Sequence, residues 1–280
     1  MSDVDGSNVV AYLGPQGTYS HEALVKYFGA EQPVLPADNI SDIFSMVDQG
    51  KSQYGLVPVE NSTEGSITLS LDCLSRHHLQ ICAEVMLRIN HCLMISQDAD
   101  IKKIKTIISH QQSLGQCRNY LAEHYPEAGT RTAASNGEAA KVASENPEIA
   151  AIASKKAAEI YGLKIVSSNI EDAADNTTRF AVISKSCKEI QTGNDKTSII
   201  IFTRNEPGAL FNALEPFKIF GVNLIRLESR PTRTQAWSYA FFVDLEGHVK
   251  DKNVGKALNA LRENSLEVTI LGSYPAAKSA

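Results

Sequence analysis

Short apolar runs alternate with amphipathic stretches along the first two thirds of the chain, and the alternation predicts its architecture. Val9–Leu13 is a continuous apolar run of strand length, and Glu22–Phe28 follows with helical spacing. Tyr54–Val59 reads as another strand. Ile67, Leu71 and Leu74 then fall at i, i+4 and i+7, which gives the next helix one apolar face. Thr106–Ser109 predicts a strand ahead of a helix with Leu114, Cys117 and Leu121 on one side. Ser135 and Glu138 form a capping box before an alanine-rich helix. Ile149–Ala153 is a strand, and the helix after it ends near Gly162. From Val9 to about Ser186, strands alternating with helices imply a mainly parallel α/β sheet, with ligands outside the carboxyl ends of its strands.

After a polar, turn-prone break at Thr192–Lys196 the order of elements changes. Strand Thr197–Thr203, helix Gly208–Phe220, strands Val222–Arg230 and Trp237–Leu245, helix Asn253–Arg262 and strand Glu267–Leu271 make the βαββαβ arrangement of a ferredoxin-like domain. A chain of 280 residues is long enough for two cores, and the boundary is expected near residue 194, giving domains 1–193 and 194–280.

Composition narrows the function. With 43% hydrophobic and 21% charged residues the chain reads as globular, and no apolar run approaches the roughly 18 residues of a membrane span. Met1–Asn8 is acidic and polar, unlike a secretory leader, so a short disordered tail and a cytoplasmic protein are expected. The five cysteines are odd in number and lack C-x-x-C spacing, which predicts buried free thiols. The seven histidines show no metal-ligand pairing, so no metal is expected. A net charge of −5 with scattered basic residues speaks against nucleic acid or an anionic membrane as partner. An anionic ligand must therefore be held by local geometry.

Four polar strand-to-helix loops could do that: Gly14–Ser20, Glu60–Gly65, Ser109–Ser113 and Asp175–Arg179. The first three each precede an expected helix, whose N-terminal N–H groups suit a carboxylate at about 0.3–1 kcal/mol apiece. The same residue types also serve as plain helix caps. Gly14-x-x-Gly17 lacks the G-x-G-x-x-G spacing and has no Lys-Ser/Thr after it, which argues against a nucleotide site. Arg179, at the head of the apolar run Phe180–Ile183, fits either a surface ion pair or a bidentate carboxylate clamp.

At these loops the chain resembles the prephenate dehydratase family over nearly its whole length. The marks are Ala11–Ser20, Pro58–Gly65, Ser109-His110 with Gly115-Gln116-Cys117, and Asn176–Phe180 with its Thr-Arg-Phe triplet. Gln111 departs from the pattern, since many relatives have proline after Ser-His. The resemblance implies two lobes of periplasmic-binding-protein type with the active site between them. Lobe 1 is expected at about 9–95 plus 170–190 and lobe 2 at about 96–169, with a crossing near Asn90–Ser96 and a return near Asn169–Thr178. It implies a cofactor-free lyase that turns prephenate into phenylpyruvate, carbon dioxide and water, with aromatisation as the electron sink. By matching position, Thr178 meets the leaving hydroxyl, and Glu60 is the nearest candidate acid provided burial raises its pKa. Asn61, Ser62, Ser109 and Gln116 orient the substrate. Thr18 and Ser20 are expected to hold a carboxylate at the first helix start, Arg179 to pair with one, and Thr177 to bind the substrate.

The second domain resembles an ACT domain of the phenylalanine-binding kind. Gly208, Ala209 and Leu210 open its first helix, Asn223 and Leu224 lead into the second strand, and Glu228, Ser229, Arg230 and Pro231 close it. The resemblance implies an L-phenylalanine effector bound between two copies, hence a homodimer or homotetramer. Two other readings stand beside this one. Arogenate dehydratase differs at one side-chain carbon of the substrate, and a non-catalytic binding protein shares the lobed fold.

Overall fold

The computed structural model describes residues 8–173, 175–188, 190–231 and 239–277. The expected tail before Asn8 and the start of the expected strand at Trp237 lie outside them. The elements are β1 (Val10–Leu13), α1 (Tyr19–Phe28), β2 (Val34–Ala37), α2 (Ile40–Asp48), β3 (Tyr54–Asn61), β4 (Gly65–Ser66), α3 (Thr68–Arg76), β5 (Gln80–Arg88) and β6 (Cys92–Ile95). They continue with β7 (Thr106–His110), α4 (Gln111–Gln116), α5 (Arg118–His124), β8 (Gly129–Ala133), α6 (Asn136–Ser144), β9 (Ile149–Ala153), α7 (Lys155–Tyr161), β10 (Lys164–Ser168) and β11 (Thr177–Ser184). The last six are β12 (Asp195–Phe202), α8 (Ala209–Ile219), β13 (Leu224–Pro231), β14 (Tyr239–Glu246), α9 (Lys252–Glu263) and β15 (Glu267–Pro275).

By internal contacts the chain forms two compact units. The first holds the chain to Gly65 and Val85–Phe180, the second Ser66–Glu84 and Ala181 onward. In the first sheet the strand order is β2-β1-β3-β11-β5, with β4 against β3. The β1–β2 and β1–β3 pairs are parallel, as the alternating pattern predicts. The second sheet, β10-β6-β9-β7-β8, is mixed, because β6 runs antiparallel to both neighbours. A strand entered directly from the crossing segment, with no helix before it, has no crossover to make it parallel. Alternate β6 residues face opposite sides. Cys92 and Met94 pack with Ala139, Ala140 and Ala143 of α6, and Leu93 and Ile95 with Cys117 and Leu121. Small alanines let α6 sit close on the sheet, and both faces are covered.

Three local expectations change in the structure. The helix expected to hold Leu114, Cys117 and Leu121 breaks at Cys117 into α4 and α5, although Cys117 and Leu121 still share one core. Ser135 Oγ does accept from Glu138 N at 3.0 Å. The returning Glu138 carboxylate takes Ala134 N at 2.8 Å, one residue before the cap. Finally, Cys82 and Cys187, which the sequence reading treats as free, form a disulfide. The order β11-β5 brings residues 105 apart in sequence to a Cα separation of 5.1 Å, which spacing along the chain could not reveal. Cys73, Cys92 and Cys117 are buried and take part in no disulfide.

The second unit contains the antiparallel sheet β13-β14-β12-β15, the order of a ferredoxin-like fold. Its core joins Ile199, Ile201, Val243 and Leu245 to Ala213, Phe217, Ala257 and Leu261 of α8 and α9. The other face meets the Ser66–Glu84 segment. There a Cβ on Gly272 would lie 2.1 Å from the Ile81 carbonyl oxygen, so only glycine fits. Arg226 donates to Ser66 Oγ at 2.6 Å and Arg230 to Asp72 at 2.9 Å. No helix among the described residues is long and apolar enough to cross a membrane.

Candidate active site

The end of β3 and the start of β11 meet at a cluster of polar residues in the first unit. Ser62 N donates to Thr177 O at 2.9 Å, and Ser62 Oγ joins Thr177 N at 2.9 Å and Asp175 O at 3.0 Å. Asn61 Oδ1 accepts the backbone N–H groups of Thr63 and Glu64 at 3.0 and 3.1 Å. The turn therefore fixes which end of the Asn61 amide is oxygen. Its Nδ2 donates to Asn176 Oδ1 at 2.7 Å and to Thr178 Oγ1 at 3.0 Å. Because Thr178 accepts from Asn61, its own O–H is left to donate elsewhere. Both residues are buried.

The network continues through Gln116, the last residue of α4. Asn176 Nδ2 donates to Gln116 Oε1 at 3.0 Å, and His91 Nε2 lies 2.9 Å from the same oxygen. Gln116 Nε2 is buried with no hydrogen-bond partner among the described residues. His91 Nδ1 is 2.6 Å from the Tyr19 hydroxyl. The segments around His91 and Asn176 run side by side, tied by Ile89 N to Asn176 O at 2.8 Å and Ile170 N to His91 O at 3.1 Å. Burial holds His91 below the usual imidazole range and lifts the Tyr19 phenol well above its own.

The remaining expected residues divide. Arg179 is buried, with Nη1 3.6 Å from Glu60 Oε2. The burial required of Glu60 as an acid is absent, since its side chain is 37% exposed and faces this guanidinium. Ser109 is wholly buried. Its Oγ donates to Ile152 O at 2.6 Å and accepts from Asn136 Nδ2 at 3.0 Å, which ties β7 to α6. Thr18 caps α1, accepting from His21 N at 3.3 Å with Leu13 O and Pro15 O each 3.0 Å from its hydroxyl. Ser20 is buried in the first turn.

Of the three loops expected to open helices, only Gly14–Ser20 leads to a side-chain-capped start. Glu60–Gly65 runs into β4, and α3 begins later behind Ile67 without a side-chain cap. The Asn61 turn has already taken the N–H groups of residues 63 and 64. The third loop opens α4, a helix of six residues with no cap from His110. Gly14–Ser20 packs on α6 and α7. Tyr161 donates to Gln16 O at 3.0 Å, and a Cβ on Gly137 would stand 2.6 Å from that oxygen.

Sequence reasoning did not select Asn176, His91 or Tyr19. Asn176 sits inside the Asn-Thr-Thr-Arg-Phe stretch and His91 inside the expected crossing, so position along the chain is the available signal. No group of three or more His, Cys, Asp or Glu side chains suited to a metal occurs among the described residues.

In the second unit the proposed effector residues fall at two ends of one sheet. Gly208 (φ 83°) is the N-cap of α8, which follows the end of β12 where Phe202 pairs with Ala240. Arg230 pairs with Ala240 from the other side, whereas Leu224 and Thr197 flank Leu245 at the far end. That is five positions along β14, about 17 Å at roughly 3.4 Å per residue. The Arg230 side chain is turned to Asp72.

Two α/β sheets joined by adjacent crossing segments, a buried chain of amides ending on a threonine hydroxyl, and a βαββαβ domain define the class: an enzyme on a binding-protein scaffold with an appended ACT domain. Residues 10–188 match the family model for prephenate dehydratase, and residues 197–263 match the ACT domain. The bifunctional chorismate mutase/prephenate dehydratase of Stutzerimonas stutzeri is 43% identical over 96% of this chain and 73% of its own. The crystal structure of prephenate dehydratase from Arthrobacter aurescens in complex with L-Phe has a TM-score of 0.89 and 33% identity, covering 97% of this chain and 92% of that one. A structure described as GqqA, a novel type of quorum quenching acylase, has a TM-score of 0.88 and 29% identity, covering 96% and 98%. The chain belongs to the prephenate dehydratase family, and it is a carbon–oxygen lyase with a C-terminal ACT domain.

Proposed function

We propose that the Thr178 hydroxyl, held by Asn61, meets the departing 4-hydroxyl of prephenate, and this hydrogen-bond polarity supports the reading most strongly. The ring carboxylate leaves as carbon dioxide, its bonding pair enters the ring, and the C4–O bond breaks as the hydroxyl takes up a proton to become water. Aromatisation takes the electrons, so orientation and a donor at the leaving oxygen are what the protein supplies. Gln116 Nε2, an unspent buried donor, holds the substrate, and Arg179 pairs with a carboxylate while Glu60 steadies its guanidinium. Ser62 and Thr177 shape the same wall, Thr18 and Ser20 present the start of α1, and Ser109 supports α6 from beneath. The functional division proposed is a catalytic domain to residue 193 and a regulatory domain from 194.

L-Phenylalanine is the proposed effector, supported by the ligand in the Arthrobacter aurescens structure. A pocket that uses both Gly208–Leu210 and Asn223-Leu224 needs two copies, because one copy holds these groups at opposite ends of its sheet. Side-by-side β13 edges in antiparallel arrangement bring them together. The apolar side chains left exposed on α8 and β13, namely Phe211, Ile219, Ile225 and Leu227, fit such an interface. This arrangement supports at least a homodimer.

A turnover assay with prephenate and with arogenate, each with and without phenylalanine, tests the reading. Phenylpyruvate formed from prephenate and suppressed by phenylalanine is the expected result. Preference for arogenate changes the substrate alone, and no turnover of either by folded protein removes the catalytic reading. Gly208→Val is expected to abolish inhibition and keep turnover. The Cβ enters open space but at a φ that β-branched residues avoid, so Gly208→Ala serves as the milder companion. Inhibition curves unchanged in both variants would move the effector site elsewhere.

A further inference from the structure

We infer that His91 is a positioning residue for the reaction: it locks the Gln116 amide so that Nε2 faces the substrate. The inference rests on the proposed role of Gln116 as a substrate donor and goes beyond it by naming what orients that donor.

The polarity of the network can be followed from the backbone outward. Thr63 and Glu64 N–H groups can only donate, so Asn61 Oδ1 is the acceptor and Nδ2 the donor. Nδ2 then donates to Asn176 Oδ1, which turns Asn176 Nδ2 toward Gln116 Oε1. With Oε1 already an acceptor, His91 must present Nε2–H to it at 2.9 Å. Two donors converge on one oxygen. A flipped Gln116 amide would set its NH₂ against both of them, so the flip is excluded and Nε2 is left pointing away without a partner.

The other side of the imidazole supports this tautomer. His91 is 1% exposed, and burial favours its neutral form. Nδ1 is then an acceptor, and the Tyr19 hydroxyl lies 2.6 Å from it with its ring edge-on at 5.5 Å between centroids. Asn90 O, 3.0 Å from the same hydroxyl, is its alternative acceptor. His91 N is also tied to Glu171 Oε2 at 2.8 Å, which fixes the backbone that presents the ring. The imidazole thus spans from α1 to the end of α4 and transmits their spacing to the Gln116 amide.

The test exploits side-chain length. The amide nitrogen of glutamine reaches the place of imidazole Nε2, whereas that of asparagine reaches only the place of Nδ1. His91→Asn is expected to lower kcat/KM by on the order of 10–10²-fold, the scale of a misplaced contact. His91→Gln is expected to recover most of that loss, which a space-filling role does not predict. In a Gln116→Ala background, His91→Asn should add no further loss, because its effect passes through that amide. Wild-type kcat/KM in His91→Asn, or a loss undiminished in the Gln116→Ala background, overturns the inference. A fully active Gln116→Ala enzyme overturns the site reading instead. Where His91→Asn fails to melt cooperatively, Tyr19→Phe takes its place. It removes only the hydroxyl, so a reduced kcat/KM supports the lock and an unchanged one overturns it.

Discussion

Thr178→Val is expected to lower kcat on prephenate by about 10²–10³-fold, the usual consequence of deleting one preorganised donor at a site of developing charge. Valine keeps the shape and the strand preference of β11, so the loss isolates the hydroxyl. Thr178 accepts from Asn61 and keeps its proton to donate, so in the proposed role the variant removes a donor from the leaving oxygen, and it leaves Asn61 Nδ2 one partner short. An unpaired buried amide costs about 1–3 kcal/mol, and part of that appears as lowered stability. Thr178→Ser restores the donor and is expected to recover most of the rate. Steady-state kinetics on the folded variants decide the matter. A Thr178→Val enzyme with near-native kcat assigns the leaving group to another residue.

Glu84→Ala is the substitution expected to cost most in stability. The Glu84 side chain is 2% exposed and that of Lys196 13%, with Lys196 Nζ 2.8 Å from Oε2 and 2.9 Å from Oε1. Glu84 Oε1 also accepts Ala277 N at 2.9 Å. Removing one partner strands a desolvated ammonium, and such changes cost about 3–5 kcal/mol. At roughly 2–4 °C per kcal/mol for a protein of this size, the melting temperature is expected to fall by about 6–20 °C. Converting both residues to methionine removes both charges and is expected to regain much of the loss, because the pair itself contributes little net stability. Urea denaturation of the two singles and the double measures the coupling. A single-variant loss below about 1 kcal/mol contradicts the buried-pair reading.

Periodicity made much of the architecture readable. The βαββαβ order after residue 194 and the strands at Tyr54, Thr106 and Ile149 follow from apolar spacing, which depends only on neighbours along the chain. It did not reveal β8, whose residues are mostly exposed, or the break at Cys117, where the apolar face runs on while the backbone does not. Asn61, Thr178 and Gln116 were reachable through motif resemblance, and one hydrogen-bonded network unites them. Ser109 and Thr18 show the limit of that route. The same hydroxyls that suit a ligand are spent here on a carbonyl and a helix cap.

By itself the sequence determined most element types, the change of architecture near residue 194 and the family, because each rests on local pattern or on matched order along the chain. The tertiary structure alone decided the antiparallel course of β6, the Cys82–Cys187 bond and the burial of Glu84 with Lys196. It also decided the path from Tyr19 through His91 and Gln116 to Thr178. These features join residues from some 25 to more than 100 positions apart, as the separations of 25, 72 and 117 in that path show. The direction of a hydrogen bond depends on which group stands opposite, and no pattern of neighbours along the chain specifies that.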